Sequence, residues 1–405
     1  MNIALLGYGT VGRGVDHIVS SSCPTLQITH ILKRPGKLSD PRDTDAFDSI
    51  LADTSVELVA ECMGGIEPAR SYILAALEAG KHVVTANKAV VAQNFDIFAR
   101  TAAEHGVGLY LEATTGGGMP WIAGLRKMRR IDAISSFSGI LNGTSNYILD
   151  RMAHSQDSFA EALCTAQALG YAEADPSADI DGIDVANKTI ISAAIAFDVF
   201  CTSSIPTLGI RTLTRADMDA LASCGFAVKL MGQGVATNEA YALAVQPVVL
   251  PLSALEAHVP NNFNSATAIG TSIGELTFCG QGAGSLPTGN AMVQDMLDCA
   301  AGMHPVYRIT THKTYDCTLL TSDYVVRTTA AIPAEFMSLS SVANALPSSL
   351  ATNFKLVPSL TAQQASQLLQ QLCLQDPQSF VAAYPSNNPS INPSDDSPIA
   401  QREEI

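Results

Sequence analysis

A glycine-rich turn near the N-terminus constrains the fold more than any other feature of this sequence. Residues 7–12 read Gly-Tyr-Gly-Thr-Val-Gly, directly after the apolar run 3–6 and directly before a stretch with helical spacing. The first glycine permits a tight turn, the second lets the backbone approach a phosphate, and the third allows close packing of helix on strand. The helix N-terminus would then direct its amide donors at a pyrophosphate. The pattern therefore predicts a Rossmann-type domain that binds a nicotinamide dinucleotide, with a purely structural glycine turn as the alternative.

The end of the second predicted strand indicates which dinucleotide is bound by the turn residues Gly7, Gly9, Thr10, Val11 and Gly12. A NAD-binding domain usually carries an acid there for the ribose hydroxyls. Here the strand 26–32 runs instead into Lys33 and Arg34. Cations at this place suit the 2′-phosphate of NADP, so we expect NADP as the preferred cofactor and NAD as the second choice. A solvated basic turn without a ligand is the alternative.

The pattern of apolar runs divides the chain into regions of different character. Strand-like and helix-like segments alternate through the first 118 residues, as in a parallel sheet with crossover helices. The pattern then changes, and a second glycine cluster at 280–284 leads into another helical stretch. The predicted fold class is α/β, with an N-terminal Rossmann-type doubly wound parallel sheet, a second α+β domain for substrate binding and dimerisation, and a small C-terminal α+β appendage. The expected domain bounds are 1–118 with 281–302, then 119–280, then 305–383, followed by a polar tail at 384–405.

Charge and composition restrict the partners of the chain. The formal net charge is −15, and only 15% of the residues are charged. A nucleic-acid footprint needs a clustered basic face, so neither nucleic acid nor an anionic membrane is an expected partner. The N-terminus has no signal-peptide pattern, and no apolar run is long enough to span a bilayer. Nine scattered cysteines without a Cys-x-x-Cys pair fit reduced thiols, so we expect a cytoplasmic protein.

The acidic segment from Glu173 to Lys188 is the most informative stretch for chemistry. It has acids at positions 173, 175, 179, 181 and 184 and a single lysine, in a chain otherwise poor in charge. If the residues from 182 onward are helical, Asp184 and Lys188 stand at i and i+4 on one face. A protonated lysine can stabilise a developing alkoxide, and the remaining acids can hold an ammonium group. The segment predicts a site for a small amino acid; a Ca²⁺ or Mg²⁺ site and a solvated acidic loop are the alternatives.

Five segments in order along the chain carry a resemblance to one enzyme family. They are Thr-Ala-Asn-Lys at 85–88, Glu-Ala-Thr-Thr-Gly-Gly-Gly-Met-Pro at 112–120, Ser-Gly-Ile-Leu-Asn-Gly-Thr-Ser-Asn-Tyr-Ile at 138–148, the acidic segment 173–188, and Gly-Gln-Gly-Ala-Gly-Ser-Leu-Pro-Thr at 280–288. From residue 3 to about residue 302, the chain resembles the homoserine dehydrogenases. The resemblance implies reversible NAD(P)-dependent conversion of L-aspartate 4-semialdehyde to L-homoserine, in threonine, methionine and isoleucine biosynthesis.

The resemblance also implies roles for single residues. Lys188 would lie at the hydroxyl or carbonyl oxygen of the substrate, and Lys88 would lie close to both substrate and cofactor. Hydride would pass between C4 of the nicotinamide and C4 of the substrate. Gly284, in the segment that closes over the cofactor, would complete the cofactor site, and the family pattern implies a homodimer or homotetramer. The residues implied to bind the amino acid are Glu173, Asp179 and Asp184.

The loop that begins at Glu112 binds a monovalent cation in the resembled family, largely through backbone carbonyls. The ion would be one such as Na⁺. Position 115 is Thr here where Val is commoner, an exchange that a carbonyl ligand tolerates. A glycine turn without an ion is the alternative. The implied ligands in this chain are Glu112, Thr115, Gly117 and Met119.

The sequence departs from the family pattern ahead of the second glycine cluster. The segment 258–264 stands where the family has His-Pro-Leu-Ala, so the loop beside the substrate pocket is undetermined.

The stretches 324–329, 336–346, 351–357 and 361–375 could form a reduced copy of a regulatory ACT domain that responds to threonine; an appendage that supports the dimer is the alternative. Two other functions stay open, namely a catalytically silent NADP-binding sensor and a related amino-acid semialdehyde dehydrogenase or reductase.

Overall fold

The computed structural model describes residues 1–201, 204–307, 313–337 and 346–385. Of the polar tail expected at 384–405, only the first two residues are among them. The stretch 336–346 of the possible ACT-like copy also lies largely outside the described residues.

The first part of the chain forms a parallel sheet with crossover helices. Its strands are β1 (Asn2–Leu6), β2 (Gln27–Leu32), β3 (Asp43–Thr44), β4 (Leu58–Glu61), β5 (His82–Thr85) and β6 (Leu109–Tyr110). Its helices are α1 (Thr10–Ser22), α2 (Phe47–Ala52), α3 (Ala69–Glu78) and α4 (Lys88–Glu104). Within the described residues the strand order is β3-β2-β1-β4-β5-β6, and every pair is parallel. The order reverses direction between β1 and β4, which confirms the doubly wound sheet.

Burial explains why the apolar run at the N-terminus becomes the central strand. Residues 3–6 of β1 are completely buried, since a parallel sheet with helices on both faces has no solvent-exposed side. Ile3 and Leu5 pack in one cluster with Val15 and Val19, which lie on the inner face of α1. The helix therefore begins directly at the strand end and covers the strand it follows.

The later residues form a second, mixed sheet. The helices that follow α4 along the chain are α5 (Trp121–Met128), α6 (Gly143–His154), α7 (Phe159–Ala168), α8 (Ser177–Ile180), α9 (Ile183–Phe197), α10 (Arg215–Ser223), α11 (Ser285–Ala300) and α12 (Ala362–Cys373). The strands of this sheet are β7 (Ile134–Ile140), β8 (Phe226–Ala236), β9 (Ala240–Pro251), β10 (Phe263–Gly270), β11 (Gly274–Gln281), β12 (Thr314–Tyr315), β13 (Thr321–Arg327), β14 (Lys355–Thr361) and β15 (Phe380–Tyr384). The order is β11-β10-β7-β8-β9-β15-β13-β14, with β12 beside β9.

An aromatic core holds α9 against this second sheet. The ring centroids of Phe137 on β7 and Phe197 on α9 are 5.3 Å apart, and Trp121 of α5 packs on Phe137 at 6.4 Å. The buried indole N–H of Trp121 donates to the hydroxyl of Ser192 at 2.9 Å, so burial of this large ring leaves no donor without a partner. This packing fixes the position of α9, the helix that carries Asp184 and Lys188.

The C-terminal strands continue the second sheet. β15 pairs with β9 in parallel through Ala383 and Val248, and β13 lies between β15 and β14. The hydroxyl of Tyr324 donates to Oε1 of Gln246 at 2.9 Å across this junction. With α12 packed on these strands, the region has an α+β build, and its kinship with an ACT domain stays a prediction.

The helix α11 returns to the first sheet and lies on α1. A Cβ at Gly14 would stand only 2.2 Å from the carbonyl oxygen of Ser285, so only glycine allows this approach. The bounds of the expected domains stay predictions. In the described part of the chain, no helix is both long and apolar enough to cross a membrane. No disulfide bond forms within the described part of the chain.

Candidate active site

The glycine turn has the geometry that a pyrophosphate site requires. Gly7 adopts a φ of +94°, and its amide donates to the carbonyl of Leu32 at 3.1 Å. A Cβ at Gly12 would lie 2.4 Å from the carbonyl oxygen of Gly7, whereas a Cβ at Gly9 would meet no atom within 4 Å. Gly12 therefore serves the packing of α1, and Gly9 keeps the space above the turn open. Thr10 and Val11 are the first residues of α1.

The second glycine segment lies against this turn. The hydroxyl of Ser285 donates to the carbonyl of Thr10 at 2.6 Å, directly after Gly284. Gly284 has a φ of +132°, a conformation that side-chain-bearing residues rarely adopt. The segment thus reaches the turn from the second half of the chain.

The basic residues after β2 have carboxylate neighbours that the sequence analysis missed. The ammonium of Lys33 is 2.8 Å from Oδ2 of Asp43 and 4.5 Å from the ring centroid of Tyr8. Arg42 forms a two-pronged ion pair with the largely buried Asp16, at 2.8 and 3.0 Å. These acids come from β3 and α1, so no pattern within β2 could have indicated them.

Arg34 differs from Lys33 in this region. Its side chain is exposed and makes no hydrogen bond or ion pair with the described residues. Of the two cations expected at a 2′-phosphate, Lys33 is already paired and Arg34 is open to a ligand.

A buried carboxyl group at the C-terminal end of β4 is linked by hydrogen bonds to the residues just before Lys88. Glu61, at the end of β4, accepts hydrogen bonds from the amide of Met63 at 2.7 Å and from the hydroxyl of Thr85. The same Thr85 oxygen accepts from the amide of Asn87 at 3.0 Å. Asn87 caps α4 by accepting from the amide of Val90, so Lys88 stands at the first helical position. No local sequence pattern indicates a special role for Glu61.

Two lysines share one buried carboxylate at the centre of the site. Oδ1 of Asp184 is 2.6 Å from the ammonium of Lys88, and Oδ2 is 2.8 Å from that of Lys188. Lys188 also donates to the carbonyl of Leu141 at 2.6 Å. Asp184 and Lys188 lie one turn apart on α9, whereas Lys88 reaches them from α4. The i, i+4 pair expected from the sequence is therefore present and extended by a second cation.

The amide of Asn142 joins the two acids of the segment. Its Nδ2 donates to Oδ1 of Asp179 at 2.7 Å and to Oδ2 of Asp184 at 2.8 Å. Its Oδ1 accepts from the amide of Ser145 at 2.7 Å and so caps α6. Asn142 belongs to the segment 138–148, but its role is not evident from the sequence because its partners lie 37 and 42 residues further along the chain.

The electrostatics separate the ionisable groups of the site. Burial alone would raise the pKa of Asp184, but the two lysines and Asn142 hold that pKa below its ordinary range. Asp184 raises the pKa of Lys88, against the effect of burial. For Lys188 burial is the larger effect, and the pKa falls below that of a free lysine. Burial raises the pKa of Asp179, which Asn142 only partly offsets.

Glu173 lies at the open side of this cluster. Its carbonyl accepts from Nε2 of Gln167 at 3.0 Å, while its carboxylate makes no hydrogen bond with the described residues. That carboxylate is close enough to help raise the pKa of Lys88. An exposed acid beside this Lys–Asp–Lys cluster is chemically suited to a cationic ligand group.

The N-terminus of α6 faces the same cluster. Its cap residue Asn142 bonds the site acids, and the first helical amides, those of Gly143 and Thr144, have no acceptor within the helix. The hydroxyl of Thr144 is already engaged with the carbonyl of Tyr171 at 2.6 Å. Amides at a helix start are suited to an anionic group.

The loop after β6 has oxygen atoms that fit a small cation. The hydroxyl of Thr115 is buried and makes no hydrogen bond within the described residues. The carbonyls of Thr115 and Gly117 accept no backbone hydrogen bond there either, while that of Met119 accepts from Trp121. The carboxylate of Glu112 is turned away, toward the amides of Ile122 and Ala123. The donor set is therefore mainly carbonyl and hydroxyl oxygen, which suits a hard cation.

Another group of metal-ligating side chains lies at the opposite edge of the first sheet. Within the described residues, His82, Cys299 and His304 have ligand atoms within 4.8 Å of one another. The two imidazole rings are stacked, with centroids 4.7 Å apart and planes 16° apart. Lone pairs in nearly parallel ring planes do not converge on one ion, so we assign no metal to this group.

The comparisons with known proteins agree with this architecture. A family model described as "Homoserine dehydrogenase, NAD binding domain" matches residues 7–112, and one described as "Homoserine dehydrogenase" matches residues 120–297. The homoserine dehydrogenase of Synechocystis sp. is 39% identical over 321 residues, which cover 74% of this chain and 73% of that relative. That of Corynebacterium glutamicum is 37% identical over 328 residues, covering 74% and 72%.

A solved structure extends the likeness to the C-terminal region. The crystal structure of a homoserine dehydrogenase from Thiobacillus denitrificans superposes with a TM-score of 0.84 at 28% identity, covering 95% of this chain and 98% of that chain. The family models, the identities and the superposition confirm the resemblance carried by the five segments. The chain therefore belongs to the homoserine dehydrogenase family.

Proposed function

We propose that this chain catalyses the reversible NAD(P)-dependent oxidation of L-homoserine to L-aspartate 4-semialdehyde, a reaction of threonine, methionine and isoleucine biosynthesis. The observation that carries the proposal is the contact of Lys88 with Asp184, at 2.6 Å, beside Lys188. Lys88 follows β5 of the sheet that carries the glycine turn, whereas Asp184 and Lys188 belong to the second part of the fold. A dinucleotide on the turn and an amino acid at α9 would therefore share one cleft.

The site offers complementary groups for both ends of an amino acid. The exposed carboxylate of Glu173 and the hydrogen-bonded carboxylate of Asp179 are suited to the ammonium group of the substrate. The amides of Gly143 and Thr144 at the start of α6 are suited to its carboxylate. Asp184 fixes the two lysines and so shapes the place where the side-chain oxygen of the substrate lies.

The chain's own groups handle the proton and the charge of the reaction. The bound nicotinamide supplies the hydride acceptor or donor at its C4. In the oxidative direction, the amine of Lys188 takes the hydroxyl proton as hydride leaves C4 of homoserine. In the reverse direction, the Lys188 ammonium returns a proton to the developing alkoxide. Lys88 has a raised pKa, stays charged throughout and stabilises negative charge on that oxygen.

For the cofactor we propose NADP in preference to NAD. The open guanidinium of Arg34, with Lys33 beside it, is suited to the 2′-phosphate. Gly7, Gly9, Thr10, Val11 and Gly12 would hold the pyrophosphate, with Gly284 closing over it. The acids Asp43 and Asp16 already bind cations in this region, which leaves them less suited to ribose hydroxyls.

We further propose that the loop after β6 binds a monovalent cation such as Na⁺. The backbone carbonyls of Glu112, Thr115, Gly117 and Met119 would supply the ligands. The buried hydroxyl of Thr115 that lacks a partner supports the assignment, because such a group is costly unless something binds it. The ion would brace the loop between the two sheets and take no part in the chemistry.

For assembly and location we propose a cytoplasmic homodimer or homotetramer. The exposed strand β11 ends the second sheet, and an unpaired strand edge is a natural place for another copy. Nine scattered cysteines without a Cys-x-x-Cys pair favour a reducing compartment. Light scattering on the purified chain would measure the oligomeric state.

The experiment that tests the proposed reaction follows the absorbance of the reduced cofactor. Purified enzyme is mixed with L-homoserine and either NADP or NAD. We expect homoserine-dependent reduction that is faster with NADP. Absence of turnover with both cofactors would refute the enzyme assignment and favour a cofactor-binding sensor.

A further inference from the structure

The buried carboxyl group of Glu61 has a position that the reaction described above does not explain. It is completely buried at the end of β4, between the glycine turn that follows β1 and the segment that follows β5. Its two oxygens accept from the amide of Met63 and the hydroxyl of Thr85. Buried carboxyl groups normally have a cation as partner. No lysine or arginine in the described part of the chain forms an ion pair with Glu61.

The ionised form of Glu61 is therefore costly when the cleft is empty of cations. Burial raises its pKa to about 7, although Thr85, Met63 and Asn87 all favour the ionised form by hydrogen bonding. The neighbouring thiol of Cys62 has a pKa raised by burial and by Glu61, and so stays neutral. Lys88, at the start of α4, is engaged with Asp184. Glu61 is thus poised between its neutral and charged states near neutral pH.

Glu61 lies on the side of the sheet where the nicotinamide half of a dinucleotide belongs. The turn residue Gly7 packs against Met63, with Cγ only 3.2 Å from the place of a Cβ on Gly7. The basic residue Lys33 marks the adenosine side beyond β2, and Lys88 marks the reacting side beyond β5. A dinucleotide that crosses the sheet at the switch point therefore extends its nicotinamide over β4 and β5.

The nicotinamide ring carries a positive charge only in the oxidised cofactor. We propose that Glu61 is a positioning residue that favours binding of the oxidised over the reduced cofactor and releases its proton to solvent when the cationic ring binds. The Glu61 carboxylate accepts a hydrogen bond from the amide of Met63. Across this short segment its negative charge would attract the cationic ring, without touching the reacting atoms. This inference rests on the proposed dinucleotide site. It makes the redox bias of that site a property of one buried acid.

The test compares affinities for the two redox states of one cofactor, which differ in the ring charge and share every phosphate. Dissociation constants of NADP⁺ and NADPH are measured by calorimetry between pH 6 and pH 8, for the unmodified chain, Glu61→Gln and Glu57→Gln. Glu57 precedes the same strand at its opposite end, is 54% exposed and makes a surface contact with the amide of Asn2. Glu57→Gln therefore removes the same charge far from the cofactor cleft.

We expect the preference for NADP⁺ to grow with pH in the unmodified chain, because Glu61 ionises over this range. Glu61→Gln should weaken NADP⁺ binding relative to NADPH by about tenfold at pH 8 and abolish the pH dependence. Glu57→Gln should behave as the unmodified chain. Equal weakening of both redox states in Glu61→Gln would overturn the proposal and leave Glu61 a structural residue only.

A second measurement needs no variant. Binding of NADP⁺ at pH 7 in two buffers with different ionisation enthalpies reports the number of protons released. We expect a fractional proton release with NADP⁺ and none with NADPH; equal values for both would contradict the role of Glu61. If neither NADP⁺ nor NADPH binds, the result would instead count against the proposed dinucleotide site.

Discussion

The two lysines of the site differ in how firmly they hold their protons. Lys188 keeps only 7% of its side chain exposed and has a lowered pKa, whereas Lys88 is 43% exposed and has a raised pKa. A group that exchanges a proton during turnover needs a pKa near the working pH, and an electrostatic stabiliser needs a permanent charge. The surroundings of Lys188 therefore favour the proposed proton transfer, and those of Lys88 favour a permanent charge.

Replacement of Lys188 tests this separation. Because Lys188→Ala removes the proton acceptor, we expect kcat for homoserine oxidation to fall about a thousandfold with a smaller change in KM. In the unmodified enzyme, oxidation should rise with pH through the lowered pKa of Lys188, since only its neutral amine accepts a proton. Reduction of the semialdehyde should fall over the same range. In Lys188→Ala, the residual rates of oxidation and reduction should both lack this pH dependence, as measured by pH–rate profiles.

Lys81 provides a matched control for Lys188. It is also a buried lysine with a lowered pKa, but its ammonium donates to the carbonyls of Asp53 and Val56, outside the site. Lys81→Ala should therefore lower stability and leave kcat and the pH profile unchanged. A loss of kcat in Lys81→Ala as large as that in Lys188→Ala would show that the loss is structural.

Asn142 allows a charge to be added without loss of a helix cap. Asn142→Asp keeps the oxygen that accepts from Ser145 but replaces the NH₂ that donates to Asp179 and Asp184. A further carboxylate beside Lys188 should raise the pKa of that lysine. We therefore expect the rise in the rate of homoserine oxidation with pH to occur at higher pH in this variant. If the rate of oxidation rises at the same pH in both proteins, the rise does not reflect the ionisation of Lys188.

The sequence predicted the charged residues of the site better than their connections. Asp184 and Lys188 are four residues apart, so helical periodicity alone places them together. Lys88 and Asn142 meet Asp184 only through the tertiary fold, and no local pattern indicates such contacts. Glu61 was not predicted because its neighbours in sequence read as an ordinary apolar strand, and only burial makes its carboxyl group unusual.

At the scale of elements, the glycine turn offers a pair of variants with opposite expected effects. Gly12→Ala places a methyl group 2.4 Å from the carbonyl oxygen of Gly7, so α1 must move away from β1. We expect a loss of about 2 kcal/mol in the free energy of unfolding, measured by urea denaturation. Gly9→Ala meets no atom within 4 Å, so stability should be unchanged while the dissociation constant of the cofactor rises at least tenfold. Weak binding together with normal stability in Gly9→Ala is the diagnostic result; tight binding would remove Gly9 from the pyrophosphate site.

Some elements end earlier than their apolar patterns suggest. Residues 107–112 have a strand-like apolar pattern, whereas β6 covers only Leu109–Tyr110. A short 3₁₀ turn begins at Glu112, because its carboxylate bonds the amides of Ile122 and Ala123 at the start of α5. A side chain that terminates its own strand by capping a distant helix leaves no signal in the local periodicity.

At the scale of the whole molecule, the C-terminal region is part of the second sheet. The region 305–383, expected as a small appendage, contributes β13, β14 and β15, which extend the sheet beyond β9. Pairing between strands more than a hundred residues apart depends on the tertiary fold, so composition could not reveal it. The match to the Thiobacillus denitrificans structure over 95% of this chain agrees with such an integrated arrangement.

Arg327 fastens these strands to the rest of the molecule, and its removal tests whether the molecule unfolds as one unit. Its guanidinium bonds both carboxylate oxygens of Asp217 at 2.8 and 3.0 Å, together with the carbonyls of Gln378 and Thr212. The side chain of Asp217 is only 2% exposed, so Arg327→Leu leaves a buried charge without its partner. We expect a loss of about 3 kcal/mol in the free energy of unfolding.

The exposed pair of Arg100 and Asp96 on α4 is the matched control, because Arg100→Leu should cost less than about 1 kcal/mol. For both variants, kcat with homoserine should stay normal below the melting temperature, since neither arginine contacts the Lys–Asp–Lys cluster. Calorimetry of Arg327→Leu should show a single transition at a lower temperature if the C-terminal strands share the cooperativity of the second sheet. An early separate transition that leaves activity intact would instead identify the C-terminal strands as an independently unfolding appendage.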